Sequence, residues 1–180
     1  IGTRGKPRTL QVPGENLPFV QTTLESADQH RNEAIIVVGA GDSAIEDALS
    51  LSRQNRVVIV NRSTGFARAK DANSAQIMRA IRNGQVECLF EAAVTKIEAC
   101  TPGGAPARVT VGTPNGPVSL SCHLIITRLG AIPSRKFVES IGVQFVSPDA
   151  DALPELSPRF ESNVPGVFII GALAGYPLIK

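Results

Sequence analysis

The stretch that most restricts how this chain folds is Ala34 to Arg62, AIIVVGAGDSAIEDALSLSRQNRVVIVNR. It opens on Ala34-Ile35-Ile36-Val37-Val38, a nearly all-apolar run of the kind found in central parallel strands buried on both faces. Alone, such a run is equally compatible with a buried helix. Gly39-Ala40-Gly41-Asp42-Ser43-Ala44 decides the matter, because it fits G-x-G-x-x-G/A at a strand-to-helix junction, the turn that receives a dinucleotide pyrophosphate. In this reading Gly39 makes the tight turn, Gly41 lets the backbone approach the pyrophosphate, and Ala44 allows close packing of helix on strand. Asp42 or Ser43 is expected to cap the helix, whose apolar positions Ala44, Ile45, Ala48, Leu49 and Leu51 mark a broad buried face. The first-turn amides and the positive dipole end would then face the phosphates. Asp42 and Glu46 lie near that end and suit the dipole themselves, so first-turn electrostatics and a cofactor role both stay open for them.

A second strand, Arg56-Val57-Val58-Ile59-Val60, brackets the turn at the right spacing. Asn61 ends it some 20 residues after the turn, where NAD-selective sites present Asp or Glu to the ribose hydroxyls. No carboxylate stands there. Arg62 follows, with Ser63, Thr64 and Arg68 close by, a set able to neutralise and hydrogen-bond a 2′-phosphate. This favours NADP over NAD, against the alternative that Arg62 and Arg68 are solvated loop charges.

Further along, Ala72 to Asn83 has helical spacing through Ala75, Ile77, Met78 and Ile81, with Gly84 placed as its C-terminal stop. Val86 to Phe90 reads as a third parallel strand. Three extended runs follow, Ala93 to Ala99, Ala107 to Gly112 and Val118 to Cys122. They are separated by the turn signals Thr101-Pro102-Gly103-Gly104 and Pro114-Asn115-Gly116, so they form an antiparallel meander. His123 to Thr127 is apolar again and is expected to return to the main sheet, ending at Arg128-Leu129-Gly130-Ala131-Ile132-Pro133. The predicted class is α/β, a three-layer Rossmann-like parallel sheet with an inserted three-stranded antiparallel β-meander. Residues 1–31, rich in Gly, Pro and charge, read as a connector with at most a short strand and turn. Residues 32–133 then form the nucleotide-binding domain, and 134–180 a return segment.

Composition excludes other classes. The 18 basic residues nearly balance the 16 acidic ones, and only 4% of residues are aromatic. No basic stripe interleaved with aromatics points to nucleic acid. The apolar runs fall far short of the ~20 residues that span a bilayer, and no signal sequence opens the chain. Cys88, Cys100 and Cys122 are far apart and form no C-x-x-C, which suits reduced structural cysteines in a cytoplasmic protein rather than a redox dithiol or zinc site. His30 and His123 have no partner motif and read as structural or solvated.

The order of nucleotide turn, second helix, β-meander, returning strand and Gly-x-x-Pro resembles the NAD(P)H-binding domain of the FAD-dependent pyridine nucleotide-disulfide oxidoreductases, in particular their thioredoxin reductase-like branch. GAGDSAIEDALSLS resembles that branch's first turn and helix, with Glu46 on the position of a glutamate near the nicotinamide. VNRSTGFARA resembles its 2′-phosphate loop, Asn61 replacing a histidine, Arg62 matching the first arginine and Ser63 replacing the second. LGAIP, with Leu129 and Gly130, resembles the segment beside the nicotinamide. IGTRGKPRTLQVPGE and FESNVPGVFIIGALAG resemble the stretches where such a chain leaves and re-enters the FAD domain, and Ala172 stands where the family usually has an aspartate for the flavin's ribityl chain. The resemblance covers essentially the whole chain. It implies an excised middle portion of a larger flavoprotein, with NADP or NAD bound here and FAD bound by another domain of the same parent chain. The acceptor stays unidentified, and the oligomeric state, a homodimer included, stays open.

The dithiol branch has C-x-x-C just before the nucleotide-binding strand, whereas TTLESADQHRNEA contains no cysteine. Flavin-mediated reduction of another acceptor is therefore the expected activity of the parent, as in ferredoxin-reductase or low-molecular-weight disulfide-reductase relatives. A nucleotide-sensing module without chemistry is the alternative. A stand-alone dehydrogenase would need a pair such as Tyr/Lys, yet the one tyrosine is Tyr176. A methyltransferase would want an acidic residue after Val60.

Overall fold

Apolar runs and turn residues resolve into alternating strands and helices in the computed structural model, which describes residues 5–100, 104–132, 135–149 and 152–176. In chain order these elements are β1 (Lys6–Pro7), β2 (Val20–Gln21), β3 (Ala34–Val38), α1 (Asp42–Leu51), β4 (Arg56–Val60), α2 (Asp71–Arg82), β5 (Glu87–Leu89), β6 (Ala93–Ala99), β7 (Ala107–Thr113), β8 (Gly116–Cys122), β9 (Leu124–Thr127), β10 (Ala131–Ile132) and α3 (Arg135–Ser140). Residues Thr101, Pro102, Gly103 and Pro133 of the expected turns lie outside the described residues.

The main sheet has the order β2-β9-β3-β4-β5, and every pairing in it is parallel. Its strands are apolar on both faces because both faces are covered. On one side Ile35, Val37, Val57, Ile59, Leu124 and Ile126 pack against α1 and α2 through Ala44, Ile45, Ala48, Leu51, Ile77 and Ala80. On the other, Ile36, Val38, Val60 and Ile125 meet Val94, Ile97, Val109 and Val111. Those last four belong to the antiparallel sheet β6-β7-β8, which is the predicted meander. The result is three layers, helices over parallel sheet over antiparallel sheet. Each fully buried Ile or Val in this sandwich contributes roughly 1.5–3 kcal/mol.

Boundaries differ from the sequence reading in small, explicable ways. The second helix begins at Asp71 with Lys70 as its N-cap residue, and the third parallel strand shortens to Glu87–Leu89. The last meander strand begins earlier, at Gly116, where φ is +105° and Thr113 Oγ1 donates 2.7 Å to the Gly116 carbonyl, closing a tight hairpin.

Chain contacts group Thr9–Leu129 as one compact unit and the described residues 5–8 with 130–176 as another. The first unit takes in part of the irregular N-terminal segment, because β2 extends the sheet beyond β9 and Leu10, Val12, Leu17 and Phe19 pack on the meander side of the core. In the second unit β1 pairs antiparallel with β10, and Val138, Val143, Ile169, Leu173 and Ala174 form a small core.

All three cysteines are free. Burial pushes the Cys88 and Cys122 thiols up to about 12, which removes them as nucleophiles near neutral pH. His123 Nδ1 accepts from the Ala34 amide at 3.1 Å, and His30 Nδ1 lies 2.9 Å from Glu33, so both imidazoles serve the fold. Among the described residues no His/Cys/Asp/Glu group could hold a metal, and no helix is long and apolar enough to cross a membrane.

Candidate nucleotide site

Sheet order creates the place for a ligand. From β3 the chain proceeds through α1 to β4 on one side, while the strand on the other side, β9, arrives from much later in the sequence. In open parallel sheets such a reversal leaves a crevice beyond the carboxyl ends of the strands. Val38 and Thr127 are paired at the ends of β3 and β9, and the glycine turn begins one residue later.

Two glycines in that turn have different physical reasons. At Gly39 the backbone is held from both sides, its N–H donating 3.1 Å to the Val60 carbonyl while the Arg128 N–H donates 2.7 Å to the Val38 carbonyl. Its φ is +137°, and a Cβ there would lie 2.3 Å from the Arg128 carbonyl oxygen. The fold itself demands glycine here. At Gly41 it does not. This residue is the N-cap of α1 with φ −89° and ψ 177°, a conformation any residue adopts, and a Cβ would meet nothing within 4 Å. The space over Gly41 is open.

The expected capping by Asp42 or Ser43 is corrected. Gly41 is the cap residue, no side chain caps the helix, and the Gly41 carbonyl accepts from the Ala44 and Ile45 amides at 3.0 and 3.1 Å. The Asp42 and Ser43 N–H groups, in the first turn, have no carbonyl within the helix to receive them. Asp42 is occupied elsewhere, its Oδ1 accepting from the Lys70 amide at 2.9 Å and from Asn73 Nδ2 at 2.8 Å. These two hydrogen bonds, the backbone one first, hold its carboxyl below the ordinary aspartate value. The same Asn73 amide donates 3.0 Å to Glu46 Oε1, one helical turn on. Ala44 is wholly buried, as close packing of helix on strand requires, and Ala40 packs at the edge of the same core.

The loop from Asn61 to Lys70 is built from two buried anchors. Asn61 is fully buried, with its side-chain Nδ2 donating 2.9 Å to the Gly65 carbonyl and its Oδ1 accepting 2.9 Å from the Ser63 amide. Its own N–H and carbonyl bond to Leu89 and Ala92. Phe66 is 4% exposed and meets Phe90 edge-on, with ring centroids 5.8 Å apart. Between and beyond these anchors Arg62, Ser63, Thr64 and Arg68 are exposed, and among the described residues Arg62 and Arg68 have no ion-pair partner. The Lys70–Asp42 hydrogen bond ties the end of this loop to the first turn of α1, so the glycine turn and the basic loop are joined.

Leu129 is half-buried against the meander-side core and closes the larger unit; Gly130, exposed with φ +81°, opens the smaller one. Sequence reasoning missed one pair beside the turn. Arg128 Nε lies 2.5 Å from Asp47 Oδ2 of α1, and its Nη1 donates 3.0 Å to the Thr22 carbonyl. The partners are 81 and 106 positions away, and no local pattern announces them.

A family model described as pyridine nucleotide-disulphide oxidoreductase matches residues 1–171. A ferredoxin–NADP reductase of Ignicoccus hospitalis is 30% identical over 179 residues, covering 98% of this chain and 55% of that protein. One from Nitrobacter hamburgensis is 29% identical, over 96% of this chain and 50% of its own length. The chain thus spans about half the length of these curated relatives. In fold it is similar to the bacillithiol disulfide reductase Bdr of Staphylococcus aureus, with TM-score 0.82, 22% identity, and coverage of 97% of this chain and 53% of that one. It is also similar to thioredoxin reductase from Lactococcus lactis, with TM-score 0.76, 23% identity, and coverage of 100% and 58%. With the glycine turn at the sheet's reversal point, the meander on its far face and a family match over nearly all its length, this chain belongs to the pyridine nucleotide-disulphide oxidoreductase family.

Proposed function

We propose that this chain binds NAD(P)H, with NADP(H) preferred over NAD(H), and forms the pyridine-nucleotide portion of a flavoprotein reductase. The observation that supports this reading most is the open Gly41 backbone, a glycine the fold does not need, at a crevice where dinucleotides bind in parallel sheets. The amides of Asp42 and Ser43 and the dipole of α1 would receive the diphosphate. Arg62, Ser63 and Arg68 would receive the 2′-phosphate, Arg in particular through paired N–H donors. Asn61, with its side chain spent inside the loop, shapes that surface from beneath. Glu46 on α1, together with Leu129 and Gly130 after β9, belongs to the nicotinamide side of the same reading.

When bound, NAD(P)H supplies a hydride; the chain's residues bind and orient it, and no acid or base among them is needed. Holding the nicotinamide in register with its hydride acceptor contributes on the order of 7–11 kcal/mol through proximity. The acceptor in this reading is the FAD of the parent protein. Ala172, exposed in the short 3-10 turn Gly171–Ala174, offers flavin no polar side chain. The onward acceptor is of the class named by the relatives, a ferredoxin or a small disulfide. The cysteine-free segment before β3 argues against thioredoxin.

Ala172 also favours a second reading, a nucleotide-responsive module that performs no chemistry. Titration calorimetry tests what both readings share. The chain should bind NADPH more tightly than NADH, and Gly41→Val should abolish both by filling the space over the turn; unchanged NADPH affinity in that variant refutes the assignment. Reduction of FAD in the intact parent protein by NADPH then separates reductase from sensor.

A further inference from the structure

Two carboxylates stand at the end of α1 that the proposed function assigns to a diphosphate. Asp42 and Glu46 are four residues apart on one helix, hence neighbours on its surface, and both are acidic side chains. Left free, they would oppose a ligand bearing two negative phosphates. Instead a single side chain takes up both, because Asn73 Nδ2 donates 2.8 Å to Asp42 and 3.0 Å to Glu46. A primary amide nitrogen has two hydrogens, and this one directs both at the carboxylates. The Lys70 amide adds a third hydrogen bond, to Asp42, so the start of α2 grips the start of α1.

Resting on the nucleotide reading above, we infer that Asn73 is a positioning residue for dinucleotide affinity: its amide draws Asp42 and Glu46 onto α2 and keeps their charge out of the anion site over Gly41. Neutrality matters as much as reach. An aspartate at 73 has the same shape but supplies no N–H, and it adds a third negative charge to the pair. The other charged groups on the elements packed here are Asp47 on α1, paired with Arg128 after β9, Lys70 and Asp71 at the start of α2, Arg79 and Arg82 in its last turn, and Arg62 and Arg68 in the preceding loop. Of these, Lys70 is the one that acts electrostatically on Asp42.

The test uses NAD⁺, whose diphosphate does not titrate between pH 5 and 8 and which lacks the 2′-phosphate. In calorimetry on the purified chain, Asn73→Asp should weaken NAD⁺ about tenfold at pH 8, the scale of one added charge beside an anion site. Affinity should return toward that of the unmutated chain as pH falls to 5, because three clustered carboxylates retain a proton where a pair bound to an amide does not. Asn73→Ala should show a smaller, pH-independent loss. In carboxyl-carbon NMR of that variant, the Asp42 resonance should titrate at higher pH than in the unmutated chain. If Asn73→Asp binds NAD⁺ as the unmutated chain does at pH 8, or loses equally at every pH, the positioning role is overturned while the nucleotide site stands. If the unmutated chain binds no dinucleotide, the functional reading falls and this inference with it.

Discussion

The glycine turn and the basic loop sit at adjacent ends of β3 and β4, yet they are made in opposite ways. The turn is a backbone object: Gly39 takes its shape from the carbonyl of Arg128 and the ends of two strands, and Gly41 contributes by having no side chain. The loop is a side-chain object, pinned by the amide of Asn61 and the ring of Phe66 so that its cations point outward. In the proposed site the difference separates affinity from selectivity. A backbone cradle recognises any diphosphate, whereas exposed arginines on a fixed loop can tell a 2′-phosphate from a hydroxyl.

Breaking the loop's anchor should cost most. Phe66→Ala removes a nearly fully buried ring, and denaturant melts should show a loss of about 3–5 kcal/mol, with the NADPH-over-NADH preference shrinking as the loop loosens. Next comes the contrast within the turn. Gly39→Ala places a Cβ against backbone that cannot yield and should cost about 2–4 kcal/mol, while Gly41→Ala should change stability by less than about 1 kcal/mol. If the two variants melt alike, the distinction between a glycine for the fold and a glycine for the ligand is lost. Arg62→Glu should then sharpen the comparison at the level of ligand, weakening NADPH about 30-fold and NADH by less than about 3-fold in calorimetry; equal losses would remove Arg62 from the 2′-phosphate site.

The smallest effect concerns Asp42, whose carboxyl titrates below the ordinary value because Lys70 and Asn73 donate to it. A lowered folded value means that its contribution to stability is fully present above the unfolded pKa, about 3.9, and is lost as pH falls through the folded one. Asp42→Asn should therefore lower stability slightly at neutral pH and flatten the acid side of a stability-versus-pH curve below about pH 4, where the two proteins converge.

Residues whose role is local were legible in the sequence. Gly39, Gly41 and Ala44 are spaced by the geometry of one turn, and the extended run Ala107 to Gly112 between turn signals marked a strand, found as Ala107–Thr113, whose Ala107, Val109 and Val111 pack into the meander-side core. Residues whose role depends on a distant partner were not. Asp42 read as a helix cap because only its own helix was visible, and its real partners lie 28 and 31 positions on. Asn61 is fully buried, and that burial follows from packing that no window around it reveals. Val20–Gln21, too short for a periodic signal, became a strand because the edge of β9 was free to accept one.

What the sequence determined by itself was the kind of layer each segment enters and the presence of a glycine turn between strand and helix, because hydrophobic period and glycine stereochemistry act over a few residues. What only the tertiary structure decided was which polar groups remain available. Asp42 and Glu46 are committed to a partner across the fold and the Asn61 side chain to its own loop, while Arg62, Arg68 and the space over Gly41 are left open. The physical reason is that a hydrogen bond between residues tens of positions apart exists only once the sheet has brought their strands and helices together.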